Sequence, residues 1–220
     1  MIIIEILKIE NLGFFAQNKQ ILDSINLKIQ EGEFVSIVGP SGSGKSTLLK
    51  IIANIISKTS GNLYFNGKPI EEYNSSDYRK EVSYCFQAPV LFGKTVKDNL
   101  SFPYEIRNME FHKEKSIKYL EEVNLPADYL DKKINTLSGG EKQRIAVIRN
   151  VLFQPKVLLL DEITSALDAE NRDIIWNWLC NIKANSNMTI LMVSHNEDDS
   201  KLGDKIISIQ DGKLELQEVE

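Results

Sequence analysis

The pattern of apolar and polar positions divides this chain of 220 residues into short strands and amphipathic helices. Residues 20–30 alternate with a period of two, so that most of one face is apolar, as in a half-buried strand. Residues 157–160 are apolar throughout, which is expected of a strand buried on both faces. The predicted strands lie at 2–10, 20–30, 34–38, 82–86, 157–160, 189–193, 205–210 and 213–217, with a hairpin at 60–70 that turns at Asn66-Gly67.

The predicted helices lie between these strands. They run from Lys45 to about Ile56, from Thr95 through Asn99, over 111–123, from Gly139 or Gly140 to about Phe153, and over 169–184. Strands that alternate with helices favour an α/β fold with a mostly parallel sheet flanked by helices, here with an N-terminal antiparallel β subdomain. We expect one domain, in which the core (1–94 and 154–220) is interrupted by an inserted α-helical subdomain (95–153).

Composition limits the classes of function. The net charge of −5 and the isoelectric point near 5.3 argue against a protein that binds the nucleic-acid backbone. No apolar run approaches the roughly 20 residues that cross a bilayer, and the N-terminal segment M-I-I-I-E-I-L lacks a basic leader. We therefore expect a soluble, cytoplasmic protein. Its two histidines, His112 and His195, leave little room for a metal site built on imidazole.

The segment after the strand at 34–38 has the spacing of a phosphate-binding loop. Residues 39–46 read G-P-S-G-S-G-K-S, which fits G-x-x-x-x-G-K-S between a strand and a helix. Glycine lets backbone N–H groups turn inward around an anion, and the following helix adds its positive dipole end. Lys45 can then reach the terminal phosphates and Ser46 can bind Mg²⁺, whereas the alternative is a glycine-rich turn that binds nothing. The predicted ATP contacts here are Gly39, Pro40, Ser41, Gly42, Ser43, Gly44, Lys45, Ser46 and Thr47.

Two acidic residues end the apolar strand at 157–160. A carboxylate at the tip of a buried strand beside a phosphate loop suits Mg²⁺, and Asp161 is in that position. The next carboxylate, Glu162, points the other way and can orient the attacking water or accept its proton. The alternative is an acidic turn that only caps the strand.

Residues 137–144, L-S-G-G-E-K-Q-R, predict a second anion-binding helix terminus. The hydroxyl and the bare backbone at Ser138, Gly139, Gly140 and Glu141 can meet a γ-phosphate. One chain already holds phosphates at 39–47, so a second terminus of this kind makes sense only if it faces the nucleotide of another subunit. The alternative is an ordinary N-capped helix.

Together these motifs resemble those of the ATP-binding cassette (ABC) ATPases, and the resemblance covers nearly the whole chain. The matching positions are 39–46 for Walker A, Gln87 for the Q-loop, 137–143 for the signature, 157–162 for Walker B, 165–168 for the D-loop and His195 for the switch histidine. The resemblance implies a P-loop NTPase core and a head-to-tail homodimer with two ATP molecules at its interface. Asp168 would link the two sites across that interface.

The resemblance also implies individual roles in ATP hydrolysis. Ser46 and Gln87 would ligate Mg²⁺, and Asp161 would hold its coordination shell. Glu162 would polarise the water, and His195 would contact the γ-phosphate.

The adenine contact departs from the family pattern. The family usually places an aromatic residue six positions before the equivalent of Leu22, and that position is Ala16 here. Phe14 and Phe15 lie just upstream, and either ring can stack on adenine. We predict Phe14 as the stacking residue.

Longer strings around Gln87, 102–108, the signature and Walker B resemble the ATP-binding subunits of Fet-type bacterial iron-export transporters. This resemblance implies that a separately encoded transmembrane permease is the partner. The subunit would attach through the permease to the cytoplasmic face of the inner membrane, and its hydrolysis of ATP would be coupled to transport. The sequence contains no cluster of residues that would bind iron. Two alternatives stay open: a cassette for another cargo, and a soluble ABC ATPase of a non-transport machine. The signature and the Asp161-Glu162 pair disfavour a third, a P-loop kinase or GTPase.

Overall fold

The computed structural model describes residues 4–217. The strands are β1 (Glu5–Ala16), β2 (Lys19–Gln30), β3 (Phe34–Val38), β4 (Ser60–Phe65), β5 (Lys68–Pro69), β6 (Val82–Cys85), β7 (Val157–Asp161), β8 (Thr189–Val193), β9 (Lys205–Gln210) and β10 (Lys213–Gln217). The α-helices are α1 (Lys45–Ile52), α2 (Ser75–Glu81), α3 (Val96–Glu105), α4 (Lys113–Glu122), α5 (Gly139–Val151), α6 (Ala169–Ala184) and α7 (Glu197–Ser200).

A six-stranded sheet forms the centre of the fold. Its strand order is β10-β9-β3-β8-β7-β6, and β3 pairs in parallel with both β8 and β9, while β7 pairs in parallel with β8. Every residue of β7 and β8 is buried, which explains why these strands read as continuous apolar runs. Parallel pairing brings the carboxyl ends of β3, β7 and β8 to one edge of the sheet.

A second sheet is antiparallel and has the order β2-β1-β4-β5. Leu7, Ile9 and Leu12 of β1 are buried in register with Ile29, Leu27 and Ile25 of β2, so the alternation in the sequence gives this sheet one apolar face. The two-residue turn at Asn66-Gly67 connects β4 to β5, with positive φ at both residues. The predicted hairpin is therefore present.

The chain divides into two compact units. The first contains the residues up to Tyr84, Pro155–Glu162 and the residues from Asn187 onward, and it includes both sheets and α1. The second contains Cys85–Gln154 and Ile163–Ser186, and it includes helices α3 to α6. The second unit starts earlier than the predicted insertion at 95–153 and also takes in α6, while the domain division read from the sequence stays a prediction.

The α/β fold class is confirmed, with one parallel-rich sheet and one antiparallel sheet. Several predicted bounds are wrong. β1 continues to Ala16, and the part of the predicted strand before residue 4 lies outside the described residues. Helix α1 ends at Ile52, and Asn54 just beyond it adopts a left-handed conformation with φ 53°.

Two helices are absent from the sequence prediction and a third is longer than predicted. The side chain of Asn74 caps α2, and that of Asn196 caps α7, each by accepting two backbone N–H groups. A capping box between Thr95 and Asp98 fixes the start of helix α3. The helix passes Asn99 and ends at Glu105, with Pro103 inside it. Within the described residues, no helix combines the length and the apolar character that a membrane span requires.

Candidate functional site

The phosphate-binding loop connects β3 to α1, as the sequence predicts. Gly39 has φ 136°, and a Cβ there would lie 2.1 Å from the carbonyl oxygen of Ile209. Gly44, at the N-cap of α1, has φ 106°, and a Cβ there would lie 2.9 Å from the carbonyl oxygen of Ile21. Only glycine fits these two positions, because both need a left-handed backbone and a close approach to a neighbouring strand.

Lys45 is buried at the start of α1 and ties the loop together. Its Nζ donates hydrogen bonds of 2.8 Å to the carbonyl oxygens of both Gly39 and Pro40. Burial lowers the pKa of the Lys45 ammonium group, and the nearby carboxylates of Glu162 and Asp161 oppose that shift. A buried cation at the mouth of a loop of inward N–H groups is suited to an anion such as a phosphate.

Asp161 ends β7 and receives a hydroxyl donor on each carboxylate oxygen. Ser46 Oγ donates to Asp161 Oδ1 at 2.7 Å, and the hydroxyl of Tyr84 donates to Asp161 Oδ2. Asp161 and Tyr84 are both buried. The sequence predicts roles for Ser46 and Asp161 but not for Tyr84, because a tyrosine in the apolar segment 82–86 is typical of a buried core residue.

Glu162 follows Asp161 and has a left-handed backbone, with φ 52°. Its N–H donates to the carbonyl oxygen of Val193, the last residue of β8, at 3.0 Å. Its carboxylate oxygen Oε1 lies 2.8 Å from Nε2 of His195, just beyond β8. The turn after β7 therefore directs Glu162 to His195, while the preceding carboxylate faces Ser46.

The donor set beside the phosphate loop fits Mg²⁺. The Ser46 hydroxyl and the Asp161 carboxylate are oxygen ligands of the kind that Mg²⁺ prefers, and the ion ordinarily completes its octahedron with phosphate oxygens and water. The part of the chain that the structure describes holds no group of three or more His, Cys, Asp or Glu side chains arranged for a metal.

The loop also holds an unpaired polar atom. Ser43 Oγ is buried and has no hydrogen-bond partner in the described structure. Pro40, Ser41 and Gly42 are exposed, and Gly42 has φ 78°, with open space where a Cβ would be. The tip of the loop is thus open to a ligand. Thr47, in the first turn of α1, is half-buried.

The predicted Q-loop and D-loop residues lie in the second compact unit. Gln87 is exposed, and its Nε2 lies 3.5 Å from Ser165 Oγ. Asp168 is the N-cap of α6 and accepts hydrogen bonds from the backbone N–H of Asn171 at 2.8 Å and from its side-chain amide. The backbone hydrogen bond from Asn171, with that from its side chain, lowers the pKa of Asp168.

The signature residues form the start of α5, also in the second unit. Ser138 Oγ accepts from the N–H of Glu141 at 3.2 Å, and Glu141 Oε2 accepts from the N–H of Ser138 at 2.6 Å, which is a capping box. Gly139 has open space around its Cβ position, whereas a Cβ on Gly140 would lie 2.8 Å from Asn171 Oδ1. The terminus therefore exposes backbone at Gly139 and packs tightly at Gly140.

Glu141 has additional partners besides this cap. Tyr129 OH donates to Glu141 Oε1 at 2.5 Å, and Lys132 Nζ lies 3.3 Å from the same oxygen. Burial raises the pKa of Glu141, but the hydrogen bonds from Tyr129, Ser138 and Lys132 outweigh it and lower the pKa to about 2. Its carboxylate thus holds the helix start together, and its predicted contact with ATP stays a prediction.

The two candidate adenine-stacking rings differ in exposure. Phe14 is half-buried against the core and lies opposite Leu22 in the β1–β2 ladder. Phe15 is 50 % exposed. Ala16, where the family usually has its aromatic residue, ends β1. The role given to Phe14 stays a prediction.

Known proteins share both the motifs and the fold. Residues 22–165 match the family described as ABC transporter. The chain is 47 % identical over 213 residues to the Probable iron export ATP-binding protein FetA of Escherichia coli (strain K12), covering 97 % of this chain and 95 % of that protein. It is also 37 % identical to the Energy-coupling factor transporter ATP-binding protein EcfA2 of Acetivibrio thermocellus, covering 90 % of this chain and 72 % of that protein.

Solved structures give the same assignment. A dimeric post-hydrolysis state of the ATP-binding cassette MJ0796 bound to ADP and Pi superimposes with a TM-score of 0.87 at 30 % identity, covering 96 % of this chain and 97 % of that one. The cbiO1 protein of Clostridium perfringens, part of the ABC transporter complex cbiONQ, has a TM-score of 0.84 at 30 % identity, covering 97 % of this chain and 88 % of that one. Since the family match, the relatives and the fold agree with the motifs, this chain belongs to the ABC transporter family and is an ATP-hydrolysing cassette of that family.

Proposed function

We propose that this cassette hydrolyses Mg-ATP with the residues gathered at the carboxyl ends of β3, β7 and β8, and that hydrolysis drives a membrane transporter. The observation that carries the proposal is the Glu162–His195 contact of 2.8 Å beside the buried Lys45. A carboxylate paired with an imidazole next to a phosphate loop is equipped to activate a water molecule. Ser46 and Asp161 would hold Mg²⁺, which would neutralise charge on the phosphates.

Each residue contributes a separate part of the reaction. The loop N–H groups and Lys45 bind the phosphates, and Glu162 orients the water and accepts its proton. His195 fixes the carboxylate through its Nε2 and, from that position, contacts the γ-phosphate. By family resemblance, Gln87 would be a further Mg²⁺ ligand. Electrostatic stabilisation by such preorganised groups supplies most of the catalysis in phosphoryl transfer.

We further propose a head-to-tail homodimer with two ATP molecules between the subunits. Gly139 presents open backbone at the N-terminus of α5, whose first-turn N–H groups suit the γ-phosphate held by a second copy. Asp168, exposed at the start of α6, is suited to contact that copy. The similar MJ0796 cassette, which is dimeric, supports this arrangement.

An exposed apolar surface in the second unit is the proposed docking site for a separately encoded permease. We call it the aromatic edge, and it is defined by the exposed rings of Phe92 and Phe102. Phe92 and Phe102 are in T-shaped contact with ring centroids 5.1 Å apart, and the Arg149 guanidinium lies 5.2 Å from the Phe92 ring centroid. The side chain of Asn99 also holds Phe92 in place. Its Oδ1 accepts a hydrogen bond from the N–H of Phe92, and its Nδ2 donates one to the carbonyl oxygen of Phe92. A rigid, exposed aromatic pair of this kind is typical of an interaction site.

Export of iron is the proposed transport activity, and through the permease the subunit would lie on the cytoplasmic face of the cell membrane. The support is the 47 % identity to a protein named as a probable iron exporter, along nearly the whole of both chains. Relatives named for spermidine/putrescine import share 37 % identity and are longer, since this chain spans 60 % of their length.

The proposal is tested by transport in a reconstituted complex. The permease that co-purifies with this subunit from native membranes would be placed in proteoliposomes, and ATP-dependent flux of Fe²⁺ would be compared with that of spermidine. We expect Fe²⁺ flux that disappears with Glu162→Gln. Flux of spermidine alone would remove the iron assignment, and the absence of a permease among the proteins that co-purify from native membranes would favour the soluble, non-transport alternative.

A further inference from the structure

The hydroxyl of Tyr84 makes a contact that none of the family motifs explains. Tyr84 lies on β6, which neighbours β7 in the central sheet, and its OH donates to Oδ2 of Asp161. The residues are 77 positions apart in the chain, so the tertiary fold creates this contact. Tyr84 is 8 % exposed and Asp161 is 5 % exposed, which places the hydrogen bond in the interior.

A buried carboxylate needs fixed hydrogen-bond donors, because its charge is costly to remove from water. The oxygens of Asp161 accept hydrogen bonds from two neutral hydroxyls, those of Ser46 and Tyr84. Neutral donors orient the carboxylate without cancelling its negative charge, whereas a lysine or arginine partner would neutralise it. These hydrogen bonds therefore leave the negative charge of the carboxylate available to a divalent cation, although the ammonium group of Lys45 is also close enough to interact with it.

The hydroxyls of Ser46 and Tyr84 have different roles at Asp161. Ser46, in the first turn of α1, is itself a proposed Mg²⁺ ligand. Tyr84 lies in a strand, and its hydroxyl bonds to Oδ2 of Asp161, whereas Ser46 bonds to Oδ1. Partners of this kind set the direction of a metal-binding carboxylate and tune its affinity for the metal.

We propose that Tyr84 is a positioning residue for magnesium, which holds the Asp161 carboxylate in the orientation that binds Mg²⁺-nucleotide. The inference rests on the proposed role of Asp161 in Mg²⁺ binding. It assigns Tyr84 no contact with the nucleotide and no part in proton transfer.

The chain offers a matched control for removal of the hydroxyl. Tyr78 is a buried tyrosine of the same unit, and its OH donates to the carbonyl oxygen of Ile52 at 2.6 Å. Tyr84→Phe and Tyr78→Phe each remove one buried hydroxyl and keep the ring, so each loses one buried hydrogen bond. Only the first changes the surroundings of Asp161.

The test is direct binding of Mn²⁺ to the full-length protein in the presence of ADP, followed by electron paramagnetic resonance. We expect Tyr84→Phe to weaken Mn²⁺ binding roughly 10- to 100-fold, with Tyr78→Phe unchanged. Binding of ADP in excess EDTA should be the same in both variants. The Mg²⁺ concentration for half-maximal ATPase activity should rise in Tyr84→Phe by the same factor as the Mn²⁺ dissociation constant.

Asp161→Asn separates the possible failures. If Asp161→Asn weakens Mn²⁺ binding and Tyr84→Phe does not, the positioning role is overturned while the proposed metal site stands. If Asp161→Asn leaves Mn²⁺ binding unchanged, the proposed metal site itself fails. Equal weakening in Tyr84→Phe and Tyr78→Phe would show that lost stability causes the effect, which also overturns the positioning role.

Discussion

Glu162 and His195 meet at the ends of two neighbouring parallel strands, with Oε1 and Nε2 2.8 Å apart. The contact depends on the left-handed backbone of Glu162, which reverses the direction of the chain directly after Asp161. The two successive carboxylates consequently face different partners, a hydroxyl pair and an imidazole. Under the proposed roles, this separation would allow one acidic dipeptide to serve both metal binding and water activation.

The first prediction concerns the charge of Glu162. Glu162→Gln keeps the shape of the side chain but removes the base, so we expect hydrolysis to fall by about 100-fold or more. ATP binding should persist, and an ATP-bound dimer should accumulate. Single-turnover phosphate release and size-exclusion chromatography with ATP measure these effects. Glu170→Gln, at an exposed carboxylate of α6, is the control for lost charge; normal turnover in Glu162→Gln would remove Glu162 from water activation.

The second prediction concerns Lys45. Lys45→Ala removes the ammonium group that crosses the mouth of the loop, and loss of one charge-assisted hydrogen bond corresponds to a roughly tenfold or greater loss of affinity. We expect ATP binding, measured by calorimetry, to weaken by at least that amount. Lys50→Ala, in the last turn of α1, should bind ATP normally. Equal affinities for the two alanine variants would contradict the assignment of Lys45 to the phosphates.

The third prediction uses the adjacent glycines of the signature. Gly139→Ala places a Cβ in open space, so the free energy of unfolding should change by less than about 1 kcal/mol. The ATPase rate should nevertheless fall, because that Cβ would face the nucleotide of the partner copy. Gly140→Ala forces the Asn171 side chain away from Asp168 and should destabilise the protein. Urea unfolding and steady-state ATPase assays test both. A fully active Gly139→Ala would argue against nucleotide binding at this terminus.

The fourth prediction is a pH dependence of stability. The pKa of Glu141 is about 2 in the folded protein, against the ordinary 4.5, so its ionised form stabilises the fold at every pH above 4.5. That stabilisation declines as the pH falls from 4.5 towards 2. The free energy of unfolding of wild type minus that of Glu141→Gln should therefore be constant at pH 6 to 7 and smaller at pH 3. An equal difference at both ends would contradict the assigned pKa.

The fifth prediction concerns the aromatic edge. Phe92→Ala removes one ring of the exposed T-shaped pair, so we expect transport by the reconstituted complex to fall while ATP binding by the isolated subunit is unchanged. Ile55→Ala is the control, because Ile55 is 40 % exposed and Phe92 is 39 % exposed. Transport that survives Phe92→Ala would place the permease elsewhere.

The sequence predicts most of the fold because local and tertiary preferences agree along it. Helix α6 and strand β8 have the predicted bounds, and the caps at Thr95 and Ser138 are present. The two helices that the sequence does not predict each begin at an asparagine side chain that caps them. Asn74 and Asn196 cap helices too short to show apolar periodicity, so α2 and α7 give no pattern to read.

The candidate site is predicted in part for a related reason. Glycine, lysine and acidic residues at fixed spacing carry their chemistry in the sequence, and the structure brings Ser46 to Asp161 and Glu162 to His195. Tyr84 carries no such mark, because a tyrosine among apolar residues in a strand is most often core. Its partner lies on another strand, and only the three-dimensional structure reveals it.

The left-handed conformation of Glu162 affects how inactive variants of this enzyme should be made. Valine, isoleucine or threonine at this position would be strained by its φ of 52°, so a loss of turnover in them would mix chain geometry with chemistry. Glutamine differs from the native residue in the head group alone. Asparagine tolerates the same torsion while shortening the reach to the imidazole, and comparing the two amides would show how far the carboxylate must extend.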